Sequence, residues 1–240
     1  MPFEAVDNDP LDLGTSPIQP QGLIGWYGKL PFIGDFVAKN LPDSFVAPWD
    51  EWLRAGISQG REIHGDQWDE LFLTFAPWRF ITELPVGSGQ FWCGILLPSI
   101  DRVGRQFPFT VTFRLALASA SFDCATLDRA DTVLDAIEPK LIQLLTDDDL
   151  PNFEGVITAL SNESFFSEAT EGQNAFGILG NSAKISDRVL KAAMIQLQRG
   201  AGGMSIWWLG ANPKQLERAV QIDQSGLNDA LFVHLVGSVE

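Results

Sequence analysis

The strongest constraint on the fold is a run of three apolar segments in the middle of the chain. The segments "WRFITEL" (78–84) and "QFWCGILLPSI" (90–100) flank a short stretch that contains "VGSG", and together they predict a β-hairpin. After "DRVGR", the segment "QFPFTVTFRLAL" (106–117) is rich in β-branched and aromatic residues and predicts a long strand. Strands joined by connections this short favour antiparallel pairing.

Amphipathic helices are predicted before these strands. In "PWDEWLRAGISQGREI" (48–63) the apolar residues recur at helical spacing. Asp43 or Ser44 is expected to cap this helix, with Pro48 in its first turn. A shorter helix is predicted in "DQWDELFLTF" (66–75). The tryptophans of these periodic segments are expected to belong to the core.

The second half of the chain carries further helical and strand patterns. The segment "TLDRADTVLDAIEPKLIQLL" (126–145) places apolar residues on one helical face, and Pro139 is expected to kink or divide the helix. The segment "RVLKAAMIQLQ" (188–198) predicts another amphipathic helix. Strands are predicted in "MSIWWLG" (204–210) and, near the start, in "LIGWYGKL" (23–30).

These patterns predict one α/β (α+β) domain over residues 23–240. Its mainly antiparallel central sheet is expected to be covered by amphipathic helices, and the strand order does not follow from the pattern. Residues 1–22 contain Pro, Gly, Asp and Glu without Lys or Arg, and we expect them to form a flexible acidic arm.

The charge of the chain argues against two classes of partner. A formal net charge of −15 disfavours binding to nucleic acid or to anionic lipid. No segment approaches the ~18 consecutive apolar residues of a membrane span, and the first residues lack the basic and apolar regions of a secretory signal. We therefore expect a cytoplasmic protein without membrane insertion, in which Cys93 and Cys124 are small, buried and reduced.

Motifs for common catalytic and cofactor sites are missing from the sequence. A P-loop needs four residues between its glycines and a Ser or Thr after its lysine, whereas two residues separate Gly25 from Gly28 and Leu30 follows Lys29. The two histidines lie far apart, and the acidic run 147–149 is expected to be a solvated helix end. No metal, cofactor or catalytic residue is therefore predicted.

Two charged segments lie among apolar residues, "GWYGKLPFIGDF" (25–36) and "SIDRVGRQFPF" (99–109). The arginines of the second segment either pair with carboxylates and cap the strand ends, or offer planar guanidinium groups to a partner's carboxylates or backbone carbonyls. A third possibility is that Asp35 pairs with Arg102 or Arg105 and locks the two segments into one surface. The last two possibilities place the two segments side by side.

The aromatic residues of the first segment also allow two interpretations. Trp26 and Tyr27 are either core residues or anchors of an interface. Phe32 and Ile33 are expected to form an exposed apolar tip of the turn.

Several ordered motifs resemble the TagF family of type VI secretion-associated proteins. They are "GWYGKLPFIGDFV…LP…PWDEWL", "LFLTFAPWRF", "CGILLPSIDRVGRQFPFTV" and "SIWWLG", and the resemblance runs from about Leu23 to Gly237. The candidate partner-binding or motif residues are Trp26, Tyr27, Gly28, Lys29, Pro31, Phe32, Ile33, Gly34, Asp35, Ser99, Asp101, Arg102, Gly104 and Arg105. Many relatives have a polar–basic pair where this chain has Phe32 and Ile33.

The resemblance implies a cytoplasmic, non-catalytic regulator that represses the type VI secretion system after translation. The implied partner is the forkhead-associated scaffold protein of that system. One rival function is an enzyme that uses Asp35 and Asp101 as an acid–base pair and Arg105 to hold an anion. A second rival is a structural subunit of the secretion apparatus.

Overall fold

A seven-stranded antiparallel sheet forms the centre of the computed structural model, which describes residues 23–115, 124–146, 150–161, 205–210, 220–223 and 227–237. The strands are β1 (Gly25–Lys29), β2 (Phe36–Lys39), β3 (Trp78–Glu83), β4 (Phe91–Leu97), β5 (Phe109–Leu115), β6 (Ser205–Leu209) and β7 (Val220–Asp223). Their order across the sheet is β2-β1-β5-β4-β3-β6-β7, and every neighbouring pair is antiparallel. The predicted hairpin is therefore confirmed as β3 and β4.

Helices cover both faces of this sheet. The α-helices of the described ranges are α1 (Asp43–His64), α2 (Trp68–Thr74), α3 (Cys124–Thr146), α4 (Leu150–Ser161) and α5 (Asp229–Gly237). A short 3₁₀ turn, Gly65–Gln67, joins α1 to α2. The predicted fold class, a mainly antiparallel sheet covered by helices, is confirmed.

Strand alternation divides the core into two clusters. Phe80 of β3 faces the cluster formed with α1, α2 and α5, and its neighbour Ile81 faces the cluster formed with α3 and α4. This is the expected period of two along a strand that is buried on both faces.

The α1 face of the sheet is packed largely with aromatic rings. Trp49 stacks on Trp207 at a centroid distance of 6.0 Å and donates its indole N–H to Thr110 Oγ1 over 2.9 Å. Gly56 is required in α1, because a Cβ there would lie 2.5 Å from the Cβ of Phe232 on α5. Small residues thus let the two helices approach closely.

Two details of α1 differ from the sequence predictions. Helix α1 begins after Pro42 without a side-chain cap from Asp43 or Ser44, and Pro48 lies beyond its first turn. In α3, Pro139 does not divide the helix, which continues from Cys124 to Thr146. Both helices continue through their prolines, although each proline lacks the N–H group that would donate an intrahelical hydrogen bond.

Some predictions concern residues outside the described ranges. These are the acidic arm of residues 1–22, the acidic run 147–149 and the helix 188–198. None of the helices in the described ranges combines the length and the apolar character that crossing a bilayer requires.

Candidate functional site

The two charged segments meet at one end of the sheet. Phe109, the first residue of β5, lies opposite Gly28 of β1 and opposite Leu97 of β4. The loop that leaves β1 (residues 30–35) and the loop that joins β4 to β5 (residues 98–108) are therefore neighbours. We call residues 28–35 and 98–108, which include the last two residues of β1, the loop pair.

A buried carboxylate, Asp101, holds the loop pair together. Lys29 Nζ lies 3.0 Å from Asp101 Oδ2, and both side chains are almost completely buried. Arg105 Nε donates to the same oxygen over 2.6 Å. The backbone N–H groups of Val103 and Arg105 donate to Asp101 Oδ1 over 3.1 and 2.9 Å. Four donors from two segments thus converge on one carboxylate.

The environment of Asp101 keeps it ionised. Burial alone raises the pKa of a carboxyl group, because the charged form loses its hydration. Hydrogen bonds from the Arg105 backbone, from the side chains of Lys29 and Arg105, and from the Val103 backbone outweigh this effect. The pKa of Asp101 is consequently well below its usual range.

Three further hydrogen bonds cross between the segments. Ser99 Oγ donates to the Lys29 carbonyl over 2.8 Å. The Arg102 backbone N–H donates to the Ile33 carbonyl over 2.9 Å, and Arg105 Nη2 donates to the Gly34 carbonyl over 2.7 Å. The loop pair is thereby fixed at several points along its length.

Glycine is required at two positions of the loop pair. Gly28 has φ = +134°, and a Cβ there would lie 2.1 Å from the Pro108 carbonyl oxygen. Gly104 has φ = +86° in the turn that follows Asp101. Both conformations are unfavourable for residues with a side chain.

The hypothesis that Asp35 pairs with Arg102 or Arg105 is wrong. Asp35 is exposed, and its Oδ1 accepts a hydrogen bond from the backbone N–H of Phe36 over 2.8 Å. The sequence correctly indicated an ion pair between the two segments, but Lys29 and Asp101 form it. Asp35 instead stabilises the start of β2.

The interpretation of Trp26 and Tyr27 as interface anchors is also wrong. Trp26 packs edge-on against Phe153 of α4, and Tyr27 donates its hydroxyl to Asp50 of α1 over 2.5 Å. Both side chains are buried, on opposite faces of β1. Their alternative interpretation as core residues is confirmed.

Phe32 and Ile33 do not form an exposed tip. Together with Pro31 and Gly34 they are half-buried, and both pack against the cluster that α3 and α4 cover. The exposed part of the loop pair is the turn Arg102–Arg105, together with Asp35. We call Arg102–Arg105 the arginine turn.

Two further residues were not among the site candidates from the sequence, Val103 in the arginine turn and Arg54 on α1. Val103 is 68% exposed, the largest value among the exposed large hydrophobic residues of the described ranges. Arg54 of α1 lies over the Phe36 ring at 5.2 Å and pairs with Asp50. Val103 could have been identified from the sequence, because it is an apolar residue flanked by arginines in a glycine-containing turn.

The arrangement does not suit acid–base catalysis by Asp101. A general acid or base at neutral pH needs a pKa near the working pH, whereas that of Asp101 is lowered. Its oxygens are already occupied by Lys29, Arg105 and backbone N–H groups. Burial likewise raises the pKa of the Cys93 thiol, so a thiolate nucleophile is disfavoured there.

A second buried ionic cluster lies on the α3 face of the sheet. Arg79 of β3 contacts Asp131 over 2.6 Å, Asp135 over 2.8 Å and Glu138 over 2.7 Å, all from α3. Trp208 of β6 also donates to Asp131, over 2.9 Å. This cluster fixes α3 to the sheet. Among the described side chains, no group of three or more His, Cys, Asp or Glu residues is arranged to hold a metal ion.

Comparison with known proteins places this architecture in a family. The family model described as the TagF N-terminal domain, Type VI secretion system-associated, matches residues 25–160, which is more than half of the chain. The chain belongs to the TagF N-terminal domain family. This TagF domain is therefore type VI secretion system-associated, and the match includes the whole loop pair.

A solved structure supports the assignment of the fold. The crystal structure of PA0076 from Pseudomonas aeruginosa PAO1 matches with a TM-score of 0.61 and 26% sequence identity, over 89% of this chain and 93% of that chain. A search of the curated proteins found no match to this TagF domain.

Proposed function

We propose that this protein is a post-translational negative regulator of the type VI secretion system. It acts in the cytoplasm by binding the forkhead-associated scaffold protein of that system, without catalysing a reaction. The family match over residues 25–160 connects the chain to the secretion system. The choice of a binding role over an enzymatic one is supported by the loop pair.

A binding role is supported by one observation: buried residues of the loop pair make internal contacts, whereas the arginine turn is exposed. Lys29, Ser99 and Asp101 are buried and used for internal contacts. The arginine turn is exposed above them. An exposed turn whose backbone is fixed by internal hydrogen bonds is suited to recognition, because little conformational entropy is lost when a partner binds.

The experiment that tests this function is deletion of the gene in its native host. Secretion of a structural marker of the apparatus should increase under conditions that normally repress it. Expression of the wild-type chain from a plasmid should restore repression. Unchanged or lower secretion in the deletion strain would contradict a role as a negative regulator.

Recovery of the protein separates a regulator from a structural subunit. A regulator that binds the scaffold should be absent from purified secretion particles and should co-purify with the scaffold from cytoplasmic extract. Stoichiometric recovery in the purified particles would favour the structural alternative.

A further inference from the structure

The arginine turn presents an apolar side chain between two guanidinium groups. Val103 is 68% exposed, and the Arg105 side chain is 62% exposed although its Nε is bound to Asp101. Arg102 is exposed as well. Exposed apolar side chains are common on protein surfaces, so exposure alone does not mark Val103 as a contact residue. The relevant feature is its position between two arginines.

The guanidinium group of Arg102 is available for a ligand. Within the described ranges it takes part in no hydrogen bond and no ion pair. Its Nη2 lies 3.4 Å from the position that a Cβ on Gly34 would occupy, and Arg105 Nη2 is bonded to the carbonyl of the same glycine. Two guanidinium groups therefore lie beside one residue, Gly34.

The backbone of the arginine turn is fixed before any partner arrives. Asp101 N–H donates to the Arg105 carbonyl over 3.0 Å, and Gly104 N–H donates to the Asp101 carbonyl over 2.9 Å. The Asp101 side chain binds two further N–H groups of the same turn, those of Val103 and Arg105. The direction of the side chains at positions 102, 103 and 105 is thus set by the folded loop.

We propose that the arginine turn docks an acidic segment of the scaffold protein that also carries an apolar side chain. Carboxylates of that segment bind the guanidinium group of Arg102 and the N–H groups of Arg105 that Asp101 and Gly34 do not occupy, and its apolar side chain covers Val103. This inference rests on the proposed function and specifies the contact through which the scaffold is held.

Charge favours carboxylates of a protein over the phosphates of nucleic acid. The net charge of −15 repels an extended polyanion, which must lie along a large surface. A short acidic segment meets only the local charges, because screening at physiological ionic strength limits electrostatic interaction to about 8 Å. The arginine turn therefore suits a short contact.

The acidic N-terminal arm is the competing occupant within this chain. Residues 1–22 include Glu4, Asp7, Asp9 and Asp12, and contain no Lys or Arg. An arm that covered the arginine turn would weaken partner binding, whereas a scaffold segment would be unaffected by changes in the arm. The two occupants thus predict opposite results.

The binding test uses the purified full-length chain and the purified scaffold protein from the same host, with affinity measured by calorimetry. Arg102→Glu should weaken binding at least about tenfold, and Val103→Ser should weaken it about threefold. The matched controls are Arg61→Glu on α1 and Val86→Ser in the β3–β4 turn, which should leave the affinity unchanged. All four side chains are exposed, so the melting temperature should stay within about 1–2 °C of the wild type.

A full-length variant in which Glu4, Asp7, Asp9 and Asp12 are replaced by amides tests the arm. The proposal predicts unchanged affinity for the scaffold. If this variant and Arg102→Glu both bind the scaffold several-fold more tightly than the wild type, the arm is the occupant and the proposal is wrong.

Repression in cells separates failure of this inference from failure of the proposed function. The deletion strain is complemented with the wild type or with the Arg102→Glu/Val103→Ser variant at equal protein levels, and the proposal predicts that only the wild type represses secretion. Full repression by the variant would overturn the inference and leave the proposed function standing. If deletion itself does not raise secretion, the proposed function is wrong, and this inference falls with it.

Discussion

The described part of the protein contains two ionic clusters, one built around a buried carboxylate and the other around a buried guanidinium group. In the loop pair, the carboxylate of Asp101 is at the centre and accepts from Lys29, Arg105 and backbone N–H groups. On the α3 face, the guanidinium group of Arg79 is at the centre and is surrounded by the carboxylates of Asp131, Asp135 and Glu138. One cluster fixes loops at an end of the sheet, and the other fixes a helix on its face.

The two clusters differ in whether a charged group beside them is exposed to solvent. The Arg79 cluster satisfies its central group with three partners of opposite charge beneath a helix, and it contributes to the core. The Asp101 cluster orders a turn whose remaining guanidinium group, that of Arg102, is exposed. One ionic cluster thus stabilises the packing of a helix, and the other fixes the conformation of an exposed turn.

The largest expected effect comes from removing the centre of the helix cluster. Arg79→Leu leaves three carboxylates close together and without their cation, and should lower the free energy of unfolding by about 4–5 kcal/mol. Urea unfolding at pH 7 measures the change, and Arg114→Leu on β5 is the control, with an expected loss below about 1 kcal/mol. Equal losses for both variants would show that the Arg79 cluster has no special role.

Removing the centre of the loop cluster should have a smaller but still large effect. Asp101→Asn leaves the buried ammonium group of Lys29 without its counter-charge and should cost about 3 kcal/mol. Asp35→Asn is the matched control, because Asp35 is exposed and makes one local hydrogen bond, and it should cost less than about 1 kcal/mol. A larger loss for Asp35→Asn than for Asp101→Asn would reverse the assignment of the two carboxylates.

The pH dependence of the Asp101 contribution has a definite sign. The pKa of Asp101 is lowered in the folded protein and is about 3.9 in the unfolded chain, so ionised Asp101 stabilises the fold above that pH. The contribution is lost as the pH falls below about 4 toward the folded pKa. The difference in stability between the wild type and Asp101→Asn should therefore shrink between about pH 5 and pH 3, as measured by urea unfolding. A difference that stays constant over this range would contradict the assignment.

Replacing the half-buried apolar residues of the first loop should have a moderate effect. Phe32→Ser and Ile33→Ser each remove contacts with the cluster beneath α3 and α4, and each should cost about 1–2 kcal/mol. Denaturant unfolding distinguishes this from the earlier expectation of an exposed tip, for which stability would stay the same. Val86→Ser, in an exposed turn, is the control.

The smallest expected effect on stability comes from Arg102. Arg102→Ala should change the free energy of unfolding by less than about 0.5 kcal/mol, because the exposed guanidinium group makes no ion pair or hydrogen bond within the described ranges. Comparing the stability of Arg102→Ala with that of Asp101→Asn tests most sharply whether Asp101 stabilises the fold while Arg102 does not. A loss of stability comparable to that of Asp101→Asn would show that Arg102 stabilises the fold.

The fold was predictable from the sequence because its signals are local. The apolar segments around residues 78–115 fix the hairpin and the strand that follows it, and the helical spacing in α1 and α3 fixes two of the covering helices. The position of β6 next to β3, and of β7 beyond it, depends on pairing between distant segments. Neither segment alone contains a sequence pattern that identifies the distant strand with which it pairs.

The candidate site was predictable only in part. The sequence indicated that the two charged segments meet, but several arrangements of Lys29, Asp35 and Asp101 fitted the same composition. The choice depends on which carboxylate is buried, and this follows from the pairing of β1 with β5 and of β5 with β4. The burial of Trp26 and Tyr27 likewise depends on helices that pack on opposite faces of β1.

Site-specific crosslinking in the native host tests the central claim most directly. A photo-reactive amino acid is placed at position 103 in one strain and at position 86 in another, since Val103 and Val86 are both exposed in turns. The account predicts a crosslink between position 103 and the forkhead-associated scaffold protein, and none from position 86. No scaffold adduct from position 103, or equal adducts from both positions, would contradict it.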